Sequence, residues 1–130
     1  MSEYTLKSLK EIENSAVKFG FAPELEARFA SAALELKHVG ISYQRLSADA
    51  RAPFGHRHKE QEEVYVIVSG SGRIKLNDEI VELRQWDAVR VPAETARGFE
   101  AGPEGMELIA VGAPGPNTAD AEVLPGWWLD

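Results

Sequence analysis

The sequence predicts an all-β domain, a sandwich or barrel of antiparallel strands. Short segments rich in Val, Ile, Leu and Tyr recur from about residue 36 onward: "VGISYQRL", "EVYVIV", "RIKL", "IVEL", "AVRVP" and "MELIAVG". Turn signals such as "SGSG", "NDE" and "RQWD" separate them. The connections are a few residues each, so hairpins should dominate.

Size and composition agree with one such domain. The chain has 130 residues, 44% hydrophobic and 27% charged, enough to bury a core without covalent staples. It has no cysteine, which removes disulfides, thiolate catalysis and Cys-based zinc sites together. The net charge of -7, from 14 basic and 21 acidic residues, repels phosphate backbones and argues against nucleic-acid binding. No apolar run approaches the roughly 20 residues needed to span a bilayer. "MSEYTLKSLKEIENS" lacks the apolar stretch of a signal peptide, so the expectation is a cytoplasmic protein that is not membrane-bound.

Taken in order, residues 1–35 read as an N-terminal extension, residues 36–115 as the barrel and residues 116–130 as a tail. "SLKEIE" suggests a short helix with Ser8 and Glu11 as a capping box. "APELEARFASAALEL" suggests a second helix, with Pro23 at its first position and Leu25, Phe29 and Leu36 at helical spacing. The switch from helix to strand is expected near Glu35. The Gly-rich stretch Ser69–Gly72 lacks the ending of a phosphate loop and a strand follows it, so it reads as a hairpin turn. The tail reads as loop. Its Trp127 and Trp128 are expected to pack over a sheet face or a dimer interface in preference to capping a pocket.

The candidate chemistry lies in "GHRHKEQEEVYVIVSG", Gly55–Gly70. In an extended segment His56 and His58 face one side, with Cα atoms roughly 6.6 Å apart, close enough to grip one ion. A carboxylate from the next strand could complete the grip. Glu62 and Glu63 are adjacent, so only one of them can face inward. If Glu63 is the inward one, Tyr65 and Ile67 share its face and form the pocket floor, Val64, Val66 and Val68 cover the other side, and Glu62 is in solvent with Glu60. Tyr43 and Arg45 share a strand face and are candidates for binding a polar ligand, with the outer face or rim the alternative for Arg45. His38, the third histidine, is the weakest ligand candidate.

The stretch from His56 to Gly70 resembles the first motif of the cupins: His-x-His, a short gap, Glu, six residues, Gly. Counting back from Gly70 selects Glu63. The resemblance implies a double-stranded β-helix, a jelly-roll whose pocket lies between two sheets, with His56, His58 and Glu63 at metal-ligand positions. It covers about residues 40–112. It also implies a homodimer. The second motif is recognisable on Pro92 alone. Trp86, Glu94, Arg97 and Ala101 stand where the family has Gly, Gly, His and Asn.

Arg97 cannot ligate, because a guanidinium has no lone pair to offer. A cation about 4 Å from a divalent ion would be repelled by ~4 kcal/mol per unit of its charge at an effective dielectric near 20. Arg97 should therefore point away, bind an anionic group of a substrate, or replace the metal by pairing with Glu63. The surviving two-His, one-carboxylate set suits Fe(II) and can also hold Mn, Ni or Zn. Two functions follow. One is a cupin holding a divalent metal and a small, anionic molecule, with oxygenase, isomerase or lyase chemistry compatible. The other is a metal-free binding module built on an Arg97–Glu63 pair. Neither singles out a catalytic residue.

Overall fold

The computed structural model describes residues 3–113 and 120–128. Eight strands follow one another: β1 (Leu25–Phe29), β2 (Gly40–Leu46), β3 (Phe54–Arg57), β4 (Glu62–Leu76), β5 (Glu79–Arg84), β6 (Ala88–Val91), β7 (Arg97–Ala113) and β8 (Glu122–Pro125). Every pairing is antiparallel. β4 and β7 are long enough to serve two layers. Glu63–Ile67 of β4 pairs with β6 and with Leu108–Gly112 of β7, while Gly72–Leu76 pairs with β5 and with Arg97–Ala101 of β7. β2 and then β1 extend the first layer, and β3 and then β8 extend the second. The result is the expected double-stranded β-helix. Its core lies between the layers, around Tyr65, Ile67, Ile74, Val91, Phe99 and Leu108. Tyr65 and Ile67 face this core and Val64, Val66 and Val68 are half-buried, as alternation requires.

Two expectations about local structure are corrected. Ser69–Gly72 is no hairpin turn: β4 runs straight through it, with register shifts at Ile67/Ser69 and Gly70/Gly72. Gly70 has φ +76, and a Cβ there would lie 2.1 Å from the carbonyl oxygen of Gly105. A Cβ on Gly72 would lie 2.3 Å from the carbonyl oxygen of Glu100. These glycines let two long strands touch where both cross between layers.

The predicted helix from Pro23 is also absent. Leu25–Phe29 is β1, and residues 31–35 form turns. Leu25 and Phe29 are four residues apart, a spacing that satisfies both a helix and a strand. The free edge of β2 decides, because pairing from Leu25↔Leu46 to Phe29↔Ser42 satisfies the backbone of both strands. Short helical pieces are found at Ser15–Lys18 and, as a 3-10 turn, at Leu9–Glu11. Ser8 stands at the N-cap of that turn, but its side chain makes no capping bond. Asn14 is the effective cap: its Oδ1 accepts from the backbone N–H groups of Ala16 at 3.1 Å and Ala27 at 3.0 Å, tying the helix to β1.

β8 adds a strand that the loop-like tail did not suggest. Beyond it, the ring of Trp127 fills the space over Gly55 and Gly98, and Trp128 lies against Arg51 and Arg73, 5.0 and 5.8 Å from their guanidinium carbons. Both tryptophans thus pack across strands. Residues 114–119, 129 and 130 of the tail lie outside the described residues. No described helix is long and apolar enough to cross a membrane.

The strand crossing gives a direct test. Gly70→Ala should lower the unfolding free energy by roughly 3 kcal/mol, through forced positive φ and overlap with Gly105. Urea denaturation checks this, and an unchanged midpoint would mean the crossing tolerates a side chain.

Candidate metal centre

The site forms where the two layers meet at one end. β3 brings His56, the residue after β3 brings His58, and β4 brings Glu63 and Tyr65 across from the other layer. His56 pairs with Arg97 on β7 and with Val123 on β8, so neighbours on both sides fix its backbone. The imidazoles meet edge-to-face with centroids 5.2 Å apart. His56 Nε2 lies 3.6 Å and His58 Nε2 3.2 Å from Glu63 Oε1, and all three donor atoms lie within 4.8 Å of one another. Ligands held at ~2.1 Å from one tetrahedral ion sit ~3.4 Å apart, so this spacing fits a metal.

The surroundings of His58 strengthen the fit. The residue is buried, and its Nδ1 lies 2.8 Å from Asp120 Oδ1. Asp120 is fixed in turn, because its Oδ2 accepts from the backbone N–H groups of Glu60 at 3.1 Å and Gln61 at 3.0 Å. A proton on Nδ1 then donates to Asp120 and leaves the Nε2 lone pair aimed at the centre. That Nε2 is buried and makes no hydrogen bond. The residues present therefore suit an ion, with an orphaned nitrogen where a ligand atom is needed.

Electrostatics follow from these contacts. Burial opposes ionisation of Glu63, but contacts with His56, His58 and Tyr65 outweigh it and hold the carboxyl well below its usual range. Burial lowers the affinity of His58 for a proton, yet the carboxylates of Glu63 and Asp120 on either side prevail and raise its pKa. Tyr65 is fully buried, and burial together with Glu63 pushes its phenol well above the ordinary value. It therefore stays a donor, with its hydroxyl on Glu63 Oε1 and its ring edge-to-face with Phe99 at 4.8 Å.

The other candidates are placed as follows. Arg97 is fully buried and donates through Nη2 to the carbonyls of Pro92 at 3.0 Å and Val91 at 3.4 Å, with Nε and Nη1 unpartnered. Among the described residues no ion pair joins Arg97 to Glu63, so the pair on which the metal-free alternative rested is not formed. Glu63 is occupied by Tyr65 and the two histidines, while carbonyls hold Arg97 in place. Its charge still reaches the site, disfavouring a proton on His58. Tyr43 is buried but does not line the cavity; Ser42, Gln44 and Leu46, on the other face of β2, line it instead. The Tyr43 hydroxyl donates to Glu107, and Lys10 lies over its ring at 4.6 Å. Arg45 reaches the cavity rim, held by Glu26 at 2.9 Å, Ser47 Oγ at 3.0 Å and the Pro23 carbonyl at 2.9 Å. His38 is exposed and stands apart from the centre, and Glu60 and Glu62 are exposed.

Two residues were missed from sequence. Asp120 lies in a stretch read as tail, with only its acidic side chain as a signal. Gln61 is buried beside the site, with Oε1 unpartnered. Its carboxamide occupies the space over Gly112, where a Cβ would lie 1.9 Å from Nε2. A glutamine within a run of charged residues gave no hint of that burial.

Comparison with known proteins supplies the family and agrees with the fold. The cupin-domain family matches residues 43–112, more than half of the chain. The chain is a cupin. An uncharacterized protein of Methanocaldococcus jannaschii is 29% identical over 98 residues, covering 69% of this chain and 78% of its own. A cupin protein from Bacteroides fragilis superposes with a TM-score of 0.71 at 24% identity, covering 99% of this chain and 94% of its own. A Streptomyces PAC13 variant with uridine gives a TM-score of 0.76 at 18% identity, covering 98% of this chain and 95% of its own. At these identities the two solved structures speak for the fold alone.

The Asp120 contact carries a prediction. Asp120→Ala should weaken metal binding by roughly 10- to 100-fold. A competition titration against a chelating dye measures it, and an unchanged affinity would show that His58 needs no partner on Nδ1.

Proposed function

We propose that this cupin holds one divalent transition metal on His56, His58 and Glu63 and binds a small molecule at the positions left open. The observation that carries the reading is the meeting of three donor atoms within 4.8 Å of one another, one of them the buried His58 Nε2, which makes no hydrogen bond. Two imidazoles and a carboxylate suit Fe(II), Mn, Ni or Zn. A metal so held would act as a Lewis acid on an oxygen of the bound molecule. Glu63 supplies negative charge, Tyr65 orients that carboxylate through its hydroxyl, and Asp120 holds His58 with Nε2 free.

Open coordination positions make ligand binding at the ion possible. A cavity of about 920 Å³ reaches His56, His58, Gln61 and Glu63 and gives such a molecule room. Fold likeness to PAC13, whose structure with uridine and description as a nucleoside dehydratase concern that protein, is compatible with small-molecule chemistry in this scaffold. Arg97 serves the site through its charge, from behind the ligands, without lining the cavity.

Two measurements test the reading. Wild-type protein loaded with Co(II) and desalted should retain metal, and His56→Ala should lose at least ten-fold in affinity. Equal trace metal in both proteins would overturn the assignment. Arg97→Met removes a cation that opposes positive charge at the centre, so it should tighten metal binding several-fold. Weakened binding with unchanged melting would instead make the guanidinium a support for the ligands.

A further inference from the structure

We propose that the molecule taken at this site has an uncharged aromatic or bulky apolar body and one chelating polar end. The inference rests on the metal reading only for that polar end. Phe21 and Phe54 line the cavity with ring centroids 6.2 Å apart. Phe54 stands two residues before His56 on β3, so both side chains leave the strand on the same face. Phe19 and Phe29 also line the cavity while remaining 64% and 51% exposed. Rings in this state gain by covering an apolar ligand.

Charge points the same way. Among the described residues lining the cavity, Arg45 is the only arginine or lysine, and Glu26, Ser47 and the Pro23 carbonyl occupy its guanidinium. Glu26, Glu35 and Glu63 also line it. Away from the chelating end, an anionic group on the ligand's body would meet Glu26 and Glu35 and no free arginine or lysine, which disfavours the Arg97-bound anionic group expected from the sequence. The unpartnered polar atoms here are His58 Nε2, facing the centre, and Gln61 Oε1, an acceptor that suits an N–H or O–H next to the chelating atoms. One wet corner in an aromatic-walled cavity calls for a ligand with polarity at one end.

Hydroxamic acids test this with a constant head. Acetohydroxamic, benzohydroxamic and 4-carboxybenzohydroxamic acids are titrated into Co(II)-loaded protein by absorption and calorimetry. Benzohydroxamic acid should bind at least ten-fold more tightly than acetohydroxamic acid, and the added carboxylate should cancel that gain. Phe54→Ala should remove the gain without weakening the acetohydroxamic complex. Phe19→Ser, at an already exposed position, should reduce it with folding intact. No gain from the phenyl group, or tighter binding of the carboxylate form, overturns the inference.

Biphenyl-4-carboxamide, which does not chelate, separates the two readings. It should bind EDTA-treated protein, and His56→Ala as well, in saturation-transfer NMR, and Phe19→Ser should weaken it. If the protein fails to retain Co(II) but this binding persists, the metal reading falls and the apolar cavity stands. If Co(II) is retained but the carboxamide and the phenyl gain are both absent, the inference falls alone. A dimer in sedimentation that excludes the carboxamide also overturns it, with a second copy as the occupant.

Discussion

The molecule depends on the close contact between β4 and β7 at their shared bend. Gly70, Gly72 and Gly105 bring backbone against backbone at distances that leave no room for a Cβ on Gly70 or Gly72. That contact lets each long strand pass from one layer to the other. The layers then close over a shared core, and the end of the sandwich brings His56 on β3 opposite Glu63 on β4. Without the bend, a histidine pair on one layer and a carboxylate on the other would have no common point. The metal-ligand geometry is thus a consequence of how the sheet curls.

Around that point the charges are arranged in shells. Contacts with the two imidazoles and the Tyr65 hydroxyl offset burial at Glu63 and favour its ionised form. His58 stands between two carboxylates, one at the centre and one on the tail side. Arg97 is a buried cation held by two carbonyls, in the position where the family's second motif has a histidine. A fixed positive charge thus stands where the family's motif has an imidazole. The rest of the cavity is largely aromatic and aliphatic, so polarity is confined to one corner.

Much of this was legible from residue patterns. The all-β class followed from recurring short apolar segments, and the resemblance to the first cupin motif, counted back from Gly70, implied Glu63 over Glu62. Alternation then placed Tyr65 and Ile67 inward and the valines outward. The misreadings have physical causes. Leu25 and Phe29 fit two periodicities, and only the edge of β2 chose between them. Glycine marks a turn and a bulge alike, so Ser69–Gly72 could not declare which it was. Tyr43 and Arg45 were correctly paired on one face, but the direction of that face depends on the strand beside it.

From its own residues, the sequence determined an all-β chain without thiol chemistry, with His56 and His58 on one face of an extended segment; the choice of Glu63 over Glu62 came from the cupin resemblance. Local alternation suffices for the histidine pair, because it depends on a period of two along a single strand. Only the tertiary structure decided that Asp120 holds His58, that Gln61 is buried against Gly112 and that Arg97 points away from Glu63. Asp120 is 62 residues from its histidine, and the others depend on which strands become neighbours. Contacts across such separations leave no period in the sequence, because they are made by the closing of the sheet.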